Sequence, residues 1–279
     1  MRGLALGVAG LAVADLERSV AFYTRALGLN QHARDEGRAL LGVDGRPLLE
    51  LLEHPSAAAR DPATAGLYHV AFLLPDRAAL GHALRRLLAA GARLTGAADH
   101  VASEAVYLND PDGHGLELYA DRPREAWFRD GILRLDNLPF DAEGVLAAAE
   151  RDPDGVERTA RTVIGHVHLE THDLEAARRF YAGRLGMEVM VEAERALFMA
   201  ADGYHHHLAA NTWRRRSRPL DGDDGEAAGR VGLLYYTLTF PDAAALRRLA
   251  TRLEAEPLGA GVHRLRDPSG IEVRLAAAA

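Results

Sequence analysis

Residues 8–29, VAGLAVADLERSVAFYTRALGL, and residues 166–187, HVHLETHDLEAARRFYAGRLGM, are two copies of one pattern. Each opens as a short alternating strand, passes through Asp-Leu-Glu into a helix with Phe-Tyr on its apolar face, and stops at Leu-Gly. Asp15 and Asp173 stand where a helix N-cap or first-turn acid belongs, and Gly28 and Gly186 where a C-terminal stop belongs. A second pair, HVAFLLPDRAALGHALRRLLAAGA (69–92) and YYTLTFPDAAALRRLATRLEAEP (235–257), opens its helix with Pro-Asp instead. Short strands are predicted after each helix. Two of these stretches, YLNDPDGHGLELYADRP (107–123) and LRDPSGIEVRL (265–275), turn through Asp-Pro-x-Gly.

The repeat divides the chain into four strand–helix–strands units, at about 1–55, 66–121, 163–215 and 231–276. Residues 124–162 read as a connector with one helix near Asp141–Glu150. The expected domains are therefore 1–123, with the first two units, and 163–279, with the last two. A βαβββ unit cannot bury its sheet alone, so the units must pair.

Composition bounds the function. The 279 residues are 48% apolar, enough for a sizeable core. The net charge of −7 comes from interspersed acids and bases, with no basic stripe for nucleic acid. No run approaches the roughly 20 apolar residues of a membrane span. The opening stretch, MRGLALGVAGLAVADLERS, loses its apolar character at Asp15 and reads as a buried strand rather than a signal peptide. Without cysteine there are no disulfides, thiolate ligands or thiol nucleophiles, and a cytoplasmic protein is expected. The 13 histidines then carry most of the capacity for metal binding or proton transfer. Three of them are consecutive, His205-His206-His207; in a strand, His206 would face one way and its two neighbours the other.

Four stretches carry a family resemblance: GLYHVAFLLPDRAALGHAL (66–84), GAADHVASEAVYLNDPDGHGLELYADRPREAW (96–127), IGHVHLETHDLEAARRFY (164–181) and GYHHHLAANTW (203–213). With the repeat, they resemble the vicinal oxygen chelate superfamily, which includes glyoxalases, bleomycin-resistance proteins and extradiol dioxygenases. They are most similar to its two-domain bacterial catechol 2,3-dioxygenases. The resemblance implies an α+β fold in which four βαβββ modules form two half-barrel domains around a metal. It further implies cleavage of catechol, or a simple substituted catechol, by O2 at non-heme Fe(II), with Mn(II) as the alternative metal. The product would be a ring-opened semialdehyde. Partners would be a small aromatic diol and O2, and relatives often form homo-oligomers.

The repeat then selects residues for that site. Seven residues before the helix-opening Asp, the units carry Val8, His69, His166 and Tyr235. In the last strand, units one, two and four carry Glu50, Glu117 and Glu272, and unit three has the His205–His207 run. The family's dioxygenases use two first-strand histidines and one last-strand carboxylate, which leaves positions open on the metal. By resemblance these are His69, His166 and Glu117. Both histidines reach one metal if unit two pairs with unit three and one with four; pairing of sequence neighbours is the alternative. Glu50 and Glu272 would be structural remnants. His206 best matches the family's acid–base histidine, with His205 or His207 in that role if the register slips by one residue. Tyr107, ten residues before Glu117 (117 − 107 = 10), matches its active-site tyrosine. His100, His168, His205, His207, Asn211 and Trp213 are expected to line or bind substrate. Two rival functions are a glyoxalase-type isomerase or lyase, which generally needs a second last-strand carboxylate, and a non-catalytic small-molecule or antibiotic-binding protein.

Overall fold

In a computed structural model, residues 2–59, 64–213 and 230–278 are described. The outermost positions of the expected units and domains, 1, 214–215 and 279, lie outside them. The first unit runs β1 (Ala5–Val13), α1 (Leu16–Phe22), β2 (Asn30–Asp35), β3 (Arg38–Val43) and β4 (Arg46–Glu53). The second runs β5 (Gly66–Leu74), α2 (Arg77–Ala89), β6 (Leu94–Asp99), β7 (Ser103–Asn109) and β8 (Gly115–Asp121). A small hairpin, β9 (Phe128–Arg129) and β10 (Ile132–Leu133), follows, then α3 (Ala142–Arg151) and the single turn α4 (Gly155–Arg158). The third unit comprises β11 (Val163–Glu170), α5 (Leu174–Arg178), β12 (Glu188–Ala193), β13 (Ala196–Ala200) and β14 (Leu208–Asn211). The fourth comprises β15 (Gly232–Phe240), α6 (Ala243–Leu253), β16 (Glu256–Gly259), β17 (Val262–Arg266) and β18 (Glu272–Ala277).

The helices begin and end for local reasons. Asp15, Asp76, Asp173 and Asp242 each cap a helix, their carboxylates accepting the N–H of Arg18, Ala79, Ala176 and Ala244. α1 and α5 each widen into a π-helical turn, over Tyr23–Leu27 and Arg179–Leu185, before Gly28 and Gly186 stop the chain in the left-handed region at φ 73° and 87°. β1 is a largely buried strand, and no helix among the described residues is long and apolar enough to cross a membrane.

Two open eight-stranded mixed sheets result, giving an α+β fold. One has the order β12-β13-β14-β11-β5-β8-β7-β6 and the other β16-β17-β18-β15-β1-β4-β3-β2. Each is two units joined at their first strands, which pair antiparallel: β11 with β5, and β1 with β15. Unit two thus shares a sheet with unit three, and unit one with unit four. The sheets do not coincide with the halves of the sequence.

Sequence neighbours are tied through their helices instead. The Tyr23 hydroxyl donates to Asp110 in the turn of unit two (2.9 Å), and Tyr181 to Asp267 in the turn of unit four (2.7 Å). Each aspartate also accepts the backbone N–H groups of its own Asp-Pro-x-Gly turn, so a buried carboxylate is fully hydrogen-bonded in both places. One apolar core runs behind both sheets, filled by residues such as Leu11, Leu49, Phe72, Leu80 and Met199.

Candidate metal centre

The centre of the β11–β5–β8 ladder places a small residue between two ligating ones. Ala71 on β5 is paired with His166 on one side and Glu117 on the other. Paired residues present their side chains on the same face, so His166 and Glu117 lean together over the Ala71 methyl. His69, two residues before Ala71, is the next residue on that face. The Nε2 atoms of His69 and His166 are 3.1 Å apart, and Glu117 Oε2 lies 2.9 Å from His69 Nε2 and 3.2 Å from His166 Nε2. Among the described residues, this is the group that could hold a metal ion.

The residues fit that role. Bonds of about 2.1 Å at right angles put neighbouring ligand atoms about 3.0 Å apart, matching a facial set with its opposite side open. All three side chains are buried. Burial pushes His166 down to about 4. Burial alone would raise Glu117, but His166 and His69 outweigh it and hold the carboxyl well below its usual range. Neutral imidazole and ionised carboxylate are the forms that bind metal.

The other sheet carries the same row without the ligands. Gly10 pairs with both Tyr235 and Glu50, and Val8 stands in the place of His69. Here the Tyr235 hydroxyl donates to Glu50, Arg38 pairs with the same carboxylate, and the Arg274 guanidinium covers the Tyr235 ring at 3.3 Å. The chain closes this cup on itself.

Two positional expectations are corrected by register. Glu117 is reached from His69 by stepping two residues along β5 and crossing to β8; the same step from His166 leads through His168 to Ala209. The residue of unit three at that position is therefore alanine, not the histidine run. In unit four the step from Tyr235 leads through Thr237 to Arg274, since Glu272 pairs with Tyr235 itself.

The histidine run is also not a strand. Residues 201–207 form a loop that enters β14 only at Leu208, so strand alternation does not sort the three side chains. Gly203 at φ 63° and Asp202 at φ 56° turn the backbone there. The His206 ring packs 4.1 Å from that of His166 and 5.2 Å from Phe198. His205 is buried against Tyr204 and Trp127, and its Nε2 lies 2.8 Å from Asp121. His207 instead accepts the Ala201 N–H at Nδ1, which holds the loop together.

Tyr107 pairs with Glu117 across β7 and β8. Its hydroxyl donates to His100 Nε2 at 2.6 Å, and His100 Nδ1 donates to the Asp136 carbonyl at 2.8 Å. That carbonyl can only accept, which leaves Nε2 of the neutral ring as the acceptor. Burial, and then the Glu117 charge, raise the Tyr107 phenol, so it stays protonated. His168 packs on His69 at 4.9 Å and joins Tyr68 and Trp213 in an aromatic wall with ring separations of 4.8–5.2 Å. Asn211 is fully buried beneath that wall. Its amide donates to His168 Nε2 and its oxygen accepts the Trp213 N–H. Tyr68, Asp121, Tyr119 and Tyr204 escaped the sequence reading. Tyr119 and Asp121 had one visible signal, their places two and four residues after Glu117 along one strand.

A family model described as the Glyoxalase/Bleomycin resistance protein/Dioxygenase superfamily matches residues 5–118 and 163–275. The chain is 41% identical over 259 residues to a catechol-2,3-dioxygenase of Bacillus subtilis (strain 168), covering 89% of this chain and 87% of that one. Among solved structures it is similar in fold to a candidate dioxygenase of the same species (TM-score 0.65, 13% identity, 98% of this chain and 84% of that one). Another is glyoxalase I from Zea mays (TM-score 0.57, 15% identity, 99% and 92%).

Proposed function

We propose that this chain, which belongs to the Glyoxalase/Bleomycin resistance protein/Dioxygenase superfamily, is an extradiol ring-cleaving dioxygenase that uses Fe(II) and O2 to open catechol or a simple substituted catechol. The reading places it in the cytoplasm. The observation that carries it is the three-residue donor set His69, Glu117 and His166, with Ala209 where a fourth ligand would stand. Two histidines and one carboxylate on one face are the ligand pattern of non-heme Fe(II) oxygenases. A glyoxalase-type site of four protein ligands is disfavoured by that alanine. The 41% identical catechol-2,3-dioxygenase supports the same conclusion.

When bound, the metal would supply the electron transfer between an electron-rich ring and dioxygen that neither undergoes readily alone. The chain's residues do the rest. His206, beside His166, takes a proton from a catechol hydroxyl and returns it later. Tyr107, kept as O–H and held beside the site by His100, turns its one proton from His100 Nε2 to a substrate oxygen when substrate binds. Tyr68, His168 and Trp213 offer aromatic faces to the ring. The test is anaerobic loading with Fe(II), then addition of catechol and air. Oxygen uptake and a product absorbing visible light are expected; neither, across several catechols, would sink the proposal.

A further inference from the structure

One carboxylate sets the direction of a partly buried hydrogen-bond chain that ends at the candidate metal centre. Asp121 lies four residues after Glu117 on β8, on the same face. Its Oδ1 is 2.8 Å from His205 Nε2, and its Oδ2 accepts the Tyr204 hydroxyl at 3.0 Å. A carboxylate only accepts, so the His205 proton in this contact is on Nε2. The Nδ1 of a neutral His205 is then an acceptor. It faces His206 Nδ1 at 2.8 Å, which must be the donor. With its proton on Nδ1, His206 has a bare lone pair on Nε2. The neighbours hold the arrangement still. The Tyr204 and Trp127 rings lie 4.1 Å and 5.0 Å from that of His205, and Tyr119 donates to Tyr204 at 2.8 Å because Tyr204 has given its own proton to Asp121.

We propose that Asp121 and His205 are positioning residues that fix His206 as its Nδ1–H tautomer, so that its Nε2 is the atom that accepts the substrate proton. This deepens the dioxygenase reading and rests on it only for the identity of that proton. In the step, His206 Nε2 gains the catechol O–H proton, the oxygen keeps the electron pair, and His206 becomes an imidazolium still donating from Nδ1 to His205. That chain then holds the positive charge close to Asp121. A histidine oriented by a carboxylate through hydrogen bonds is a proven way to set a base's tautomer, and here a second imidazole is interposed.

The experiment combines histidine tautomers with kinetics. Long-range 15N–1H spectra of 15N-histidine protein loaded with zinc, with His206 assigned by its loss in His206→Asn, report which nitrogen carries the proton. The wild type is expected to show His206 as Nδ1–H. His205→Phe keeps a ring between Tyr204 and Trp127 but removes the acceptor. It should move His206 toward Nε2–H and, in Fe(II)-loaded protein, lower kcat about a hundredfold, with catechol KM and bound metal unchanged. His205→Gln restores both a donor for Asp121 and an acceptor for His206, and should recover most of the loss. His206 as Nε2–H in the wild type, a doubly protonated His205, or His205→Phe changing neither tautomer nor kcat would each overturn the proposal. A fall in kcat explained by lost metal would do so as well. If wild-type protein cleaves no catechol, the dioxygenase reading fails, and the tautomer spectra still decide the relay.

Discussion

Glu117 and Ala209 hold the same place in the ladder on opposite sides of the β5–β11 pair. One side brings a carboxylate to the metal centre and the other a methyl group. The pseudo-symmetric fold has two such positions, and filling only one leaves room for exogenous oxygen ligands.

Ala209→Glu tests that asymmetry directly. The new carboxylate would reach the same ions from the vacant side and convert a three-donor face into a four-donor site. Metal content is expected to stay at or above the wild-type level, while oxygen uptake with catechol disappears. Metal analysis beside an oxygen-electrode trace checks both. Full activity in this variant would mean that the side facing Ala209 is not where substrate binds.

Acid should destabilise the metal-free protein. His166 is held neutral by burial, down to about 4 from an unfolded value near 6.5. Above pH 6.5 neither state binds that proton, and the stability is complete. As the pH falls from about 6.5 to 4, the unfolded chain gains a proton that the folded one refuses, so stability declines. The contribution of His166 is about 3 kcal/mol. Glu117, also depressed, adds loss in the same direction below its unfolded value. Melting curves of metal-free protein from pH 8 to 4 should show this limb, and His166→Ala should flatten it.

Tyr107→Phe removes one hydroxyl and little packing. It should lower kcat about 10- to 100-fold, the worth of a hydrogen bond of roughly 1.5–3 kcal/mol to a developing charge, with metal content unchanged. Steady-state kinetics on Fe(II)-loaded protein read the effect. Wild-type kcat in this variant would assign Tyr107 to packing alone.

The repeat made the fold legible, because capping aspartates, stopping glycines and alternating strands each report a local preference that the tertiary structure does not oppose. It also singled out His69, His166 and Glu117, whose convergence follows from strand register. The histidine run misled for a physical reason: three adjacent polar residues look like a strand only if the backbone is extended, and the Asp202–Gly203 turn withdraws it from the ladder. The assignment of Glu272 failed through a two-residue offset, since a Gly/Leu-Ile/Leu-Glu string looks alike in either register. Asp121 lies in plain view, but its role depends on a loop more than 80 residues away, and no local pattern encodes that meeting.

The closest packing beside the metal centre is at Gly165, next to His166. A Cβ there would lie 1.9 Å from the Tyr119 hydroxyl oxygen and 2.8 Å from its Cζ. Gly165→Ala must therefore push Tyr119 aside, break its hydrogen bond to Tyr204 and disturb the strand that carries His166. A loss of about 1–3 kcal/mol is expected from such overpacking, read by denaturant melts. Tyr119→Phe alone should cost about 1 kcal/mol for its lost hydrogen bond. In the double variant the hydroxyl that clashes is gone, so its loss should be smaller than the sum of the two separate losses. Strict additivity would show that the glycine is required by the backbone bulge between Ile164 and His166 rather than by the tyrosine.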